Sequence, residues 1–311
     1  MQKILLIGGS GFIGRQLAAK LATAGHQVTL PTRQREQVRA DLLLLTHLNL
    51  INADVHDPAT LAKLVAGQDV VINLVGILQG SEANFKRAHI TLTEKIIAAC
   101  TEQGVRRYLH MSALGADIHG PSMYQRSKGE AEARILASRL DWTIYRPSVV
   151  FGQEDQFLNL FASLLKIAPF VPLAGADTRF QPVWVQDVTR AFAEGVSNKA
   201  LIGKTLSLVG PKVYTLKELV SYTARTIGVC RPIISLPNWA ARVQASLMSF
   251  LPNPPLSHDN LNSLQVDNID LAGLAPELAW RPMALEAIAP SYLARGKTNR
   301  YNHFRSHAGR Q

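Results

Sequence analysis

The stretch KILLIGGSGFIGRQLAAKLATAG, residues 3–25, decides the fold of this 311-residue chain. It begins with a short apolar run that predicts a β-strand, and helix-compatible residues follow up to Gly25, which ends the helix. Between strand and helix, glycines recur with the spacing G-x-x-G-x-x-G. Gly8 lets the chain turn sharply off the strand, Gly11 lets the backbone approach a pyrophosphate, and Gly14 lets the helix pack on the sheet. The anion would lie on free N–H groups at the helix N-terminus, so the stretch predicts a dinucleotide-binding turn.

The end of the second predicted strand indicates which dinucleotide binds. After the strand HQVTL, residues 26–30, an NAD-specific site would place a carboxylate to hold the ribose 2′-hydroxyl. Glu36 comes too late for this role. Arg33 stands there instead, with Arg35 behind it, and a guanidinium suits a 2′-phosphate. The sequence therefore predicts NADP(H) as the preferred cofactor and NAD(H) as the alternative; the competing interpretation makes Arg33 a plain surface residue.

The rest of the first half repeats the strand-and-helix unit. Further strands are predicted at 48–55, 68–76, 106–113 and 141–150, and helices at 60–67, 83–104 and 127–140. This alternation, with nearly continuous apolar strands, predicts an α/β fold: a Rossmann-type doubly wound parallel sheet, with a smaller, mostly helical C-terminal substrate cap. Ligands of such sheets bind outside the carboxyl ends of the strands. The residues that fall at these ends are Asp54, Gly76, Ser112 and Pro147.

Composition and charge narrow the class of protein. The chain is 47% hydrophobic and 18% charged, as in soluble globular proteins, and has neither a signal-peptide pattern nor a membrane-spanning apolar run. Five of its ten net positive charges lie in the polar tail 295–311, which we expect to be disordered. Because no RNA-binding aromatic motif or recognition helix accompanies them, nucleic acid is not expected. We expect a cytoplasmic protein that lies peripherally at the inner face of the membrane or on an acidic partner; the alternative is a solvated tail without a specific partner.

Cysteine and histidine spacing predicts no disulfide and no metal site. Cys100 and Cys230 stand in apolar contexts without a C-x-x-C pattern, which predicts two small buried side chains. The histidines, among them His89, His110 and His258, show no ligand spacing, and no cluster of carboxylates accompanies them.

The motifs in order resemble the short-chain dehydrogenase/reductase superfamily, in its extended and atypical branches. They are GGSGFIG at 8–14, Asp54, NLVG at 73–76, MSA at 111–113, Tyr124-x-x-x-Lys128 and RPSVVFG at 146–152. Beyond residue 140, the segments 146–165, 181–192 and 203–220 closely resemble the accessory dinucleotide-binding subunit family of respiratory complex I and its bacterial relatives. The resemblance covers roughly residues 3–225 and implies a tightly held nucleotide in a structural or regulatory protein.

The resemblance also implies which positions contact the cofactor. Those that would hold the pyrophosphate are Gly8, Ser10, Gly11, Phe12, Ile13 and Gly14. Those that would contact the adenosine 2′-phosphate and the adenine are Arg33, Asp54 and Val55. Those that would flank the ribose or the nicotinamide are Leu74, Val75, Gly76, Tyr124, Lys128, Pro147 and Ser148.

Two departures from the family pattern count against a sugar-nucleotide reaction. Many extended members carry an asparagine on the helix after the fourth strand, where this chain has Ala88-His89. The stretch between Ser112 and Tyr124 is also short compared with that of sugar-nucleotide epimerases.

The Tyr124–Lys128 pair has two interpretations. Residues four apart share a helix face, so the ammonium would lower the pKa of the phenol toward working pH, and the phenol would exchange a proton with a substrate. Ser112 would hold the substrate carbonyl in place. In the alternative, Lys128 binds the ribose, Tyr124 packs against the nicotinamide and Ser112 satisfies a strand-end carbonyl, without turnover.

The second half of the chain is predicted to return to the sheet and then form the cap. We expect a Rossmann core at 1–150 and a mixed segment at 151–294, which rejoins the core at about 181–200, with Asp187 capping a helix there. An amphipathic helix with a glycine stop is predicted at 216–228. A stripe of Trp239, Val243, Leu247 and Phe250 is predicted as buried core, and the apolar cap favours a quinone, an isoprenoid or a lipid.

Three functions are compatible with these features. The first is an NADP(H)-holding protein of the complex I accessory-subunit family, linked to the respiratory chain or ubiquinone metabolism, with low or no turnover. The second is an NADPH-dependent oxidoreductase that acts on an apolar carbonyl or a quinone-type substrate through Ser112, Tyr124 and Lys128. The third is a sugar-nucleotide epimerase or dehydratase, which would need a polar cap, whereas the cap arginines are mainly Arg179 and Arg242.

Overall fold

The computed structural model describes residues 1–33, 42, 45–248 and 256–294. Arg35, Phe250 and the tail 295–311, which entered the sequence-based expectations, lie outside the described residues.

A seven-stranded parallel sheet forms the centre of the molecule and confirms the predicted α/β class. Its strands, in spatial order, are β11 (Lys204–Leu208), β6 (Asp141–Pro147), β5 (Arg107–Met111), β4 (Val70–Asn73), β1 (Lys3–Ile7), β2 (Gln27–Thr32) and β3 (Leu48–Asn52). The strand order reverses between β1 and β4, where ligands of doubly wound sheets bind. Three two-stranded sheets lie outside it: β7 (Val150–Phe151) with β10 (Val183–Trp184), β9 (Arg179–Phe180) with β12 (Tyr214–Thr215), and β8 (Val171–Leu173) with β13 (Ile233–Ser235).

Helices cover both faces of the sheet, and further helices build a smaller lobe. They are α1 (Phe12–Thr23), α2 (Pro58–Val65), α3 (Glu82–Phe85), a π-helical segment (Lys86–Thr91), α4 (Leu92–Glu102), α5 (Met123–Leu136), α6 (Leu158–Ile167), α7 (Val185–Ser197), α8 (Leu216–Ile227), α9 (Asn238–Met248), α10 (His258–Ser263), α11 (Leu285–Ile288) and α12 (Pro290–Leu293). Alternate residues of β1 point to opposite faces, as the period of a strand requires. Leu6 therefore packs in one cluster with Leu17 of α1 and Phe192 of α7. Leu5 packs on the other face with Ile96 of α4.

The segment that returns to the sheet is longer than the predicted range 181–200. Helix α7 contributes Val188 and Phe192 to the core, and β11 then pairs with β6 to become the outer strand of the sheet. The smaller lobe has its own apolar cluster, to which α6, α8, α11 and α12 contribute. Helix α8 ends at Gly228 with a left-handed φ of 66°, which confirms the predicted glycine stop.

Three local expectations were wrong. Asp187 does not cap α7: the N-cap is Trp184, no side chain caps this helix, and Asp187 accepts instead from the Met283 N–H at 2.8 Å. Of the two cysteines, Cys100 is buried but Cys230 is exposed. The predicted buried stripe is also not core, because α9 packs through its small residues Ala241 and Ala245. Trp239, Val243 and Leu247 point outward and are 72%, 52% and 67% exposed.

Candidate functional site

The glycine-rich turn between β1 and α1 lies at the carboxyl edge of the sheet and fits a pyrophosphate. Gly8 has a φ of +81°, and a Cβ there would lie 3.0 Å from the backbone of both Leu74 and Val75, so only glycine fits. A Cβ at Gly14 would overlap the Gly8 carbonyl oxygen, since the helix packs closely on the turn. Gly11 is different: a Cβ there would meet nothing nearer than 3.5 Å. The space above Gly11 is therefore open to a ligand.

The first turn of α1 presents unsatisfied donors to this space. Gly11 is the N-cap residue and no side chain caps the helix, so the N–H groups of Phe12, Ile13 and Gly14 are available to an anion. Ser10 and Ile13 are half-buried beside the turn. The Phe12 ring contacts Gly152, where a Cβ would lie 3.1 Å from its Cζ atom. The chemistry and the open space of this turn fit the diphosphate of a dinucleotide.

Positive charge surrounds the site where the adenosine is expected. Arg33 is exposed at the end of β2, and Asp54 follows the end of the neighbouring strand β3. The Asp54 carboxylate accepts from the His56 N–H at 2.9 Å, and the Lys95 ammonium donates to the His56 carbonyl at 2.5 Å. Burial lowers the pKa of His56, and the charges of Arg87, Lys95 and Arg33 lower it further, whereas Asp54 raises it. Of the described residues whose charge acts on His56, three are cations and one is a carboxylate.

Lys128 is buried at the ends of β4 and β5. Its ammonium donates to the Met111 carbonyl at 3.0 Å and to the Val75 carbonyl at 3.4 Å. It lies 3.3 Å from where a Cβ of Gly76 would stand, so a side chain at position 76 would displace it. The side chain is 3% exposed, and burial lowers its pKa to about 8, although Glu132 opposes this shift.

Tyr124 does not have the lowered pKa that the catalytic interpretation of the Tyr124–Lys128 pair assumes. Burial raises the pKa of its phenol to about 12, and Lys128 directs its ammonium at backbone carbonyls. The ring packs edge-on against Phe85 and His89, with centroids 6.4 and 5.8 Å away. The phenol of Tyr124 is therefore protonated at neutral pH.

Ser112 is placed as expected but does not satisfy a strand-end carbonyl with its side chain. It follows Met111 at the end of β5 and is 3% exposed. Among the described residues, its hydroxyl is one of the buried side-chain groups without a hydrogen-bond partner. A buried unsatisfied hydroxyl is costly unless a ligand or a water completes it. The hydroxyl is thus free to bind a carbonyl oxygen of a ligand.

His89 is a residue of this site that spacing analysis missed. Its Nε2 accepts from the Ile77 N–H at 3.1 Å, so Nδ1 carries the proton and donates to Ser127 Oγ at 2.8 Å. Burial, helped by the charge of Lys128, lowers the pKa of His89 to about 2, so the ring is neutral. It lies in the π-helical segment, the kind of local bulge found often at functional sites. The Ala88-His89 departure from the extended pattern was the sequence signal for it.

Asp259 is a second missed residue, and it orients the helix that carries Tyr124 and Lys128. Its carboxylate accepts from the Met123 N–H at 2.6 Å and from the Tyr124 N–H at 3.1 Å. The negative charge stands at the positive end of α5, where it is stabilising. Asp259 belongs to α10, some 135 positions away in sequence, so no local signal connects it with α5.

Ser148 and Arg179 are engaged in contacts within the protein. The Ser148 hydroxyl donates to Asn268 Oδ1 at 2.6 Å, so only the backbone of Ser148 and the ring of Pro147 can line a nicotinamide pocket. Arg179 pairs through two nitrogens with Asp267, at 2.9 and 2.6 Å. This pairing occupies one of the two arginines that a sugar-nucleotide reaction would have used.

A shallow depression of about 340 Å³ lies at the opposite, amino edge of the sheet, lined by Gln68, Asp69, Arg106 and Asp141 among others. Ligands of doubly wound sheets bind at the carboxyl edge, so this depression is not the candidate site.

Known proteins share much of this sequence. A family model described as NAD(P)H-binding matches residues 8–156. The chain is 32% identical over 280 residues to "NADH dehydrogenase [ubiquinone] 1 alpha subcomplex subunit 9, mitochondrial" from Arabidopsis thaliana, covering 85% of this chain and 70% of that protein. The protein of the same name from Rattus norvegicus is 32% identical over 316 residues, covering 95% of this chain and 81% of its own length.

Solved structures share the fold. The crystal structure of DesIV, a dTDP-glucose 4,6-dehydratase from Streptomyces venezuelae with NAD bound, superposes with a TM-score of 0.75. It is 17% identical, and the match covers 96% of this chain and 98% of that one. At this identity the likeness shows the fold alone. The two relatives, each 32% identical, show that the chain belongs to the family of the NADH dehydrogenase [ubiquinone] 1 alpha subcomplex subunit 9 proteins, and its first half matches the NAD(P)H-binding family model.

Proposed function

We propose that this protein holds NADP(H) with low or no turnover and serves respiratory-chain or ubiquinone-linked metabolism. The observation that carries this proposal is the state of the Tyr124–Lys128 pair. A general acid works best with a pKa near the operating pH, whereas burial raises the pKa of Tyr124 to about 12. The Lys128 ammonium is bound by two backbone carbonyls. The arrangement suits a site that binds a nucleotide more than one that transfers protons rapidly.

The preference for NADP(H) is supported by the charges at the adenosine end of the site. Among the described residues, the charges of Arg33, Arg87 and Lys95 lower the pKa of His56, and the carboxylate of Asp54 raises it. A 2′-phosphate gains from such a cluster, whereas a 2′-hydroxyl gains little.

The other residues have separate roles toward the cofactor. The glycine-rich turn and the N-terminus of α1 bind the diphosphate, and the Lys128 ammonium would bind the nicotinamide ribose. Leu74, Val75 and Gly76 flank the ribose, and Pro147 lines the nicotinamide pocket. When bound, the nicotinamide supplies the capacity to give or take a hydride.

We propose a peripheral position at the cytoplasmic face of a respiratory membrane, in association with a respiratory complex. The two curated relatives are named as subunits of the mitochondrial NADH dehydrogenase [ubiquinone]. No helix in the described part of this chain is long and apolar enough to cross a membrane.

A second candidate function is an NADPH-dependent reductase for an apolar carbonyl or a quinone-type substrate. The Ser112 hydroxyl favours it, because a buried donor without a partner could bind the substrate carbonyl. Tyr124 would then donate the proton from its phenol, and Lys128 would orient the ribose.

Single-turnover kinetics distinguish the two functions. The protein is loaded with NADPH, and the absorbance decay with a quinone analogue is compared between the wild type and Tyr124→Phe. If the protein holds its cofactor without turnover, both decay at the same slow background rate. Tyr222→Phe, which removes a hydroxyl from α8 in the smaller lobe, is the matched control. Loss of roughly 100-fold or more in Tyr124→Phe but not in Tyr222→Phe would overturn the proposal in favour of the reductase.

A further inference from the structure

Helix α9 exposes the face that an ordinary surface helix buries. Its small residues Ala241 and Ala245 face the protein body. Its large apolar residues, Trp239, Val243 and Leu247, are spaced four apart and form one exposed row. A surface helix normally buries its large apolar side chains, and single exposed ones need no explanation. We therefore expect the row of Trp239, Val243 and Leu247 to be covered by a binding partner.

Exposed apolar side chains on the neighbouring elements enlarge this surface. Strand β13, which leads into α9, pairs with β8 so that Ile234 lies opposite Pro172. Ile234 is exposed, and so is Phe170, which directly precedes β8. Ile167, the last residue of α6, is 85% exposed. We call Ile167, Phe170, Ile234, Trp239, Val243 and Leu247 the apolar rim.

The two chain segments that carry the apolar rim contain basic residues but no acidic ones. The rim lies within two segments, 156–176 and 228–258, and neither contains an aspartate or a glutamate. Their charged residues are Lys166, Arg231 and Arg242, all exposed. Further along the chain, residues 295–311 include five lysines and arginines and no acidic residue. Apolar side chains on segments whose charged residues are all cations match an anionic phospholipid surface.

We propose that the apolar rim docks on an anionic phospholipid membrane, with α9 lying in the interface and Trp239, Val243 and Leu247 inserted at the headgroup boundary. Tryptophan is favoured at that depth because its ring is apolar and its N–H remains near water. Arg242, on the same exposed side of α9, would meet lipid phosphates. This inference rests on the proposed peripheral location and not on the cofactor site.

Flotation of the full chain with vesicles tests the inference. The protein is mixed with vesicles of phosphatidylcholine containing phosphatidylglycerol, and separately with phosphatidylcholine alone. We expect binding to the anionic vesicles, with a blue shift of tryptophan emission and quenching by brominated lipid chains. The triple variant Trp239→Ser, Val243→Ser, Leu247→Ser should bind more than about tenfold more weakly. Leu271→Ser, which alters an exposed leucine outside the rim, is the control and should bind as the wild type does.

Three results would overturn the inference. One is the absence of vesicle binding. Another is binding that the triple variant retains in full, which would assign it to charge alone. The third is a concentration-dependent dimer in sedimentation that the triple variant abolishes, which would make a second copy the covering partner. Circular dichroism confirms that the variants fold, and NADPH titration of the triple variant separates failure of this surface from failure of the proposed function.

Discussion

At the scale of single residues, the site is built around a buried amine. The Lys128 ammonium fits between β4 and β5 because Gly76 has no side chain, and two backbone carbonyls replace its hydration. Burial still costs the charged form more than it costs the neutral form, which is why the pKa of Lys128 falls to about 8 from its ordinary 10.5.

This shift predicts a pH dependence of stability. Between pH 8 and 10.5 the unfolded chain holds the Lys128 proton and the folded chain has released it, so the free energy of unfolding rises with pH through that window. Below pH 8 the Lys128 side chain is charged in the folded protein, so the free-energy cost of burying this charge is present in full. Compared with Lys128→Met, the wild type should therefore gain on the order of 3 kcal/mol as pH rises from 8 to 10.5. Urea unfolding of both proteins across this range measures it, and a difference that stays constant with pH would contradict the buried-charge account.

The sequence reveals the identity of the site residues better than their chemical state. The glycine spacing and the Tyr124–Lys128 interval have local physical causes, so they can be read from the chain. The pKa of Tyr124 depends on burial by residues from other elements, so the sequence left open whether this pKa is lowered or raised. The sequence showed His89 only as a departure from the family pattern, since its partners Ile77 and Ser127 are far apart along the chain.

At the scale of elements, helix α5 is fixed at its start by a second helix. Ser122 and Gln125 form a local capping box, and Asp259 of α10 adds a carboxylate to the N–H groups of Met123 and Tyr124. The small lobe thereby holds the helix that presents Tyr124 and Lys128 to the site.

Removal of this contact should destabilise the protein by a predictable amount. Asp259→Ala leaves two helix N–H groups without their acceptor and should lower the free energy of unfolding by about 2 kcal/mol. Asp259→Asn keeps one acceptor oxygen and should cost about half as much. Denaturant unfolding measures both, and a full-stability Asp259→Ala variant would show that the capping box alone suffices.

The periodicity of an element indicates its type but not which way it faces. The row Trp239, Val243 and Leu247 correctly predicted a helix over this stretch, and its burial was the wrong conclusion. The direction depends on which side of α9 finds a partner, and the partner side consists of two alanines that carry a weak hydrophobic signal. Asp187 is a similar case. Its carboxylate accepts from the Met283 N–H, which belongs to a loop far away in sequence, so the residues next to Asp187 do not indicate this contact.

At the scale of the whole molecule, the chain order of alternating strands and helices was sufficient to predict the parallel sheet. Parallel strands need crossover connections, and the apolar runs with helices between them leave few alternatives. The contribution of β11 was less evident, since it follows a long excursion of the chain through α6 and α7. The consequence for function is that the carboxyl ends of β1, β2, β4 and β5 lie along one edge of the sheet, which carries the glycine-rich turn, Arg33 and Lys128.

Calorimetric titration of NADPH into the wild type and into Gly11→Ala tests this account most directly. The backbone of Gly11 has a φ of −75° and a Cβ there touches nothing nearer than 3.5 Å, so alanine should fold normally. The account predicts tighter binding of NADPH than of NADH to the wild type, a loss of that preference in Arg33→Asp, and an affinity at least about tenfold weaker in Gly11→Ala, because the methyl group occupies the diphosphate space. No heat with NADPH, or unchanged affinity in a folded Gly11→Ala, would contradict it.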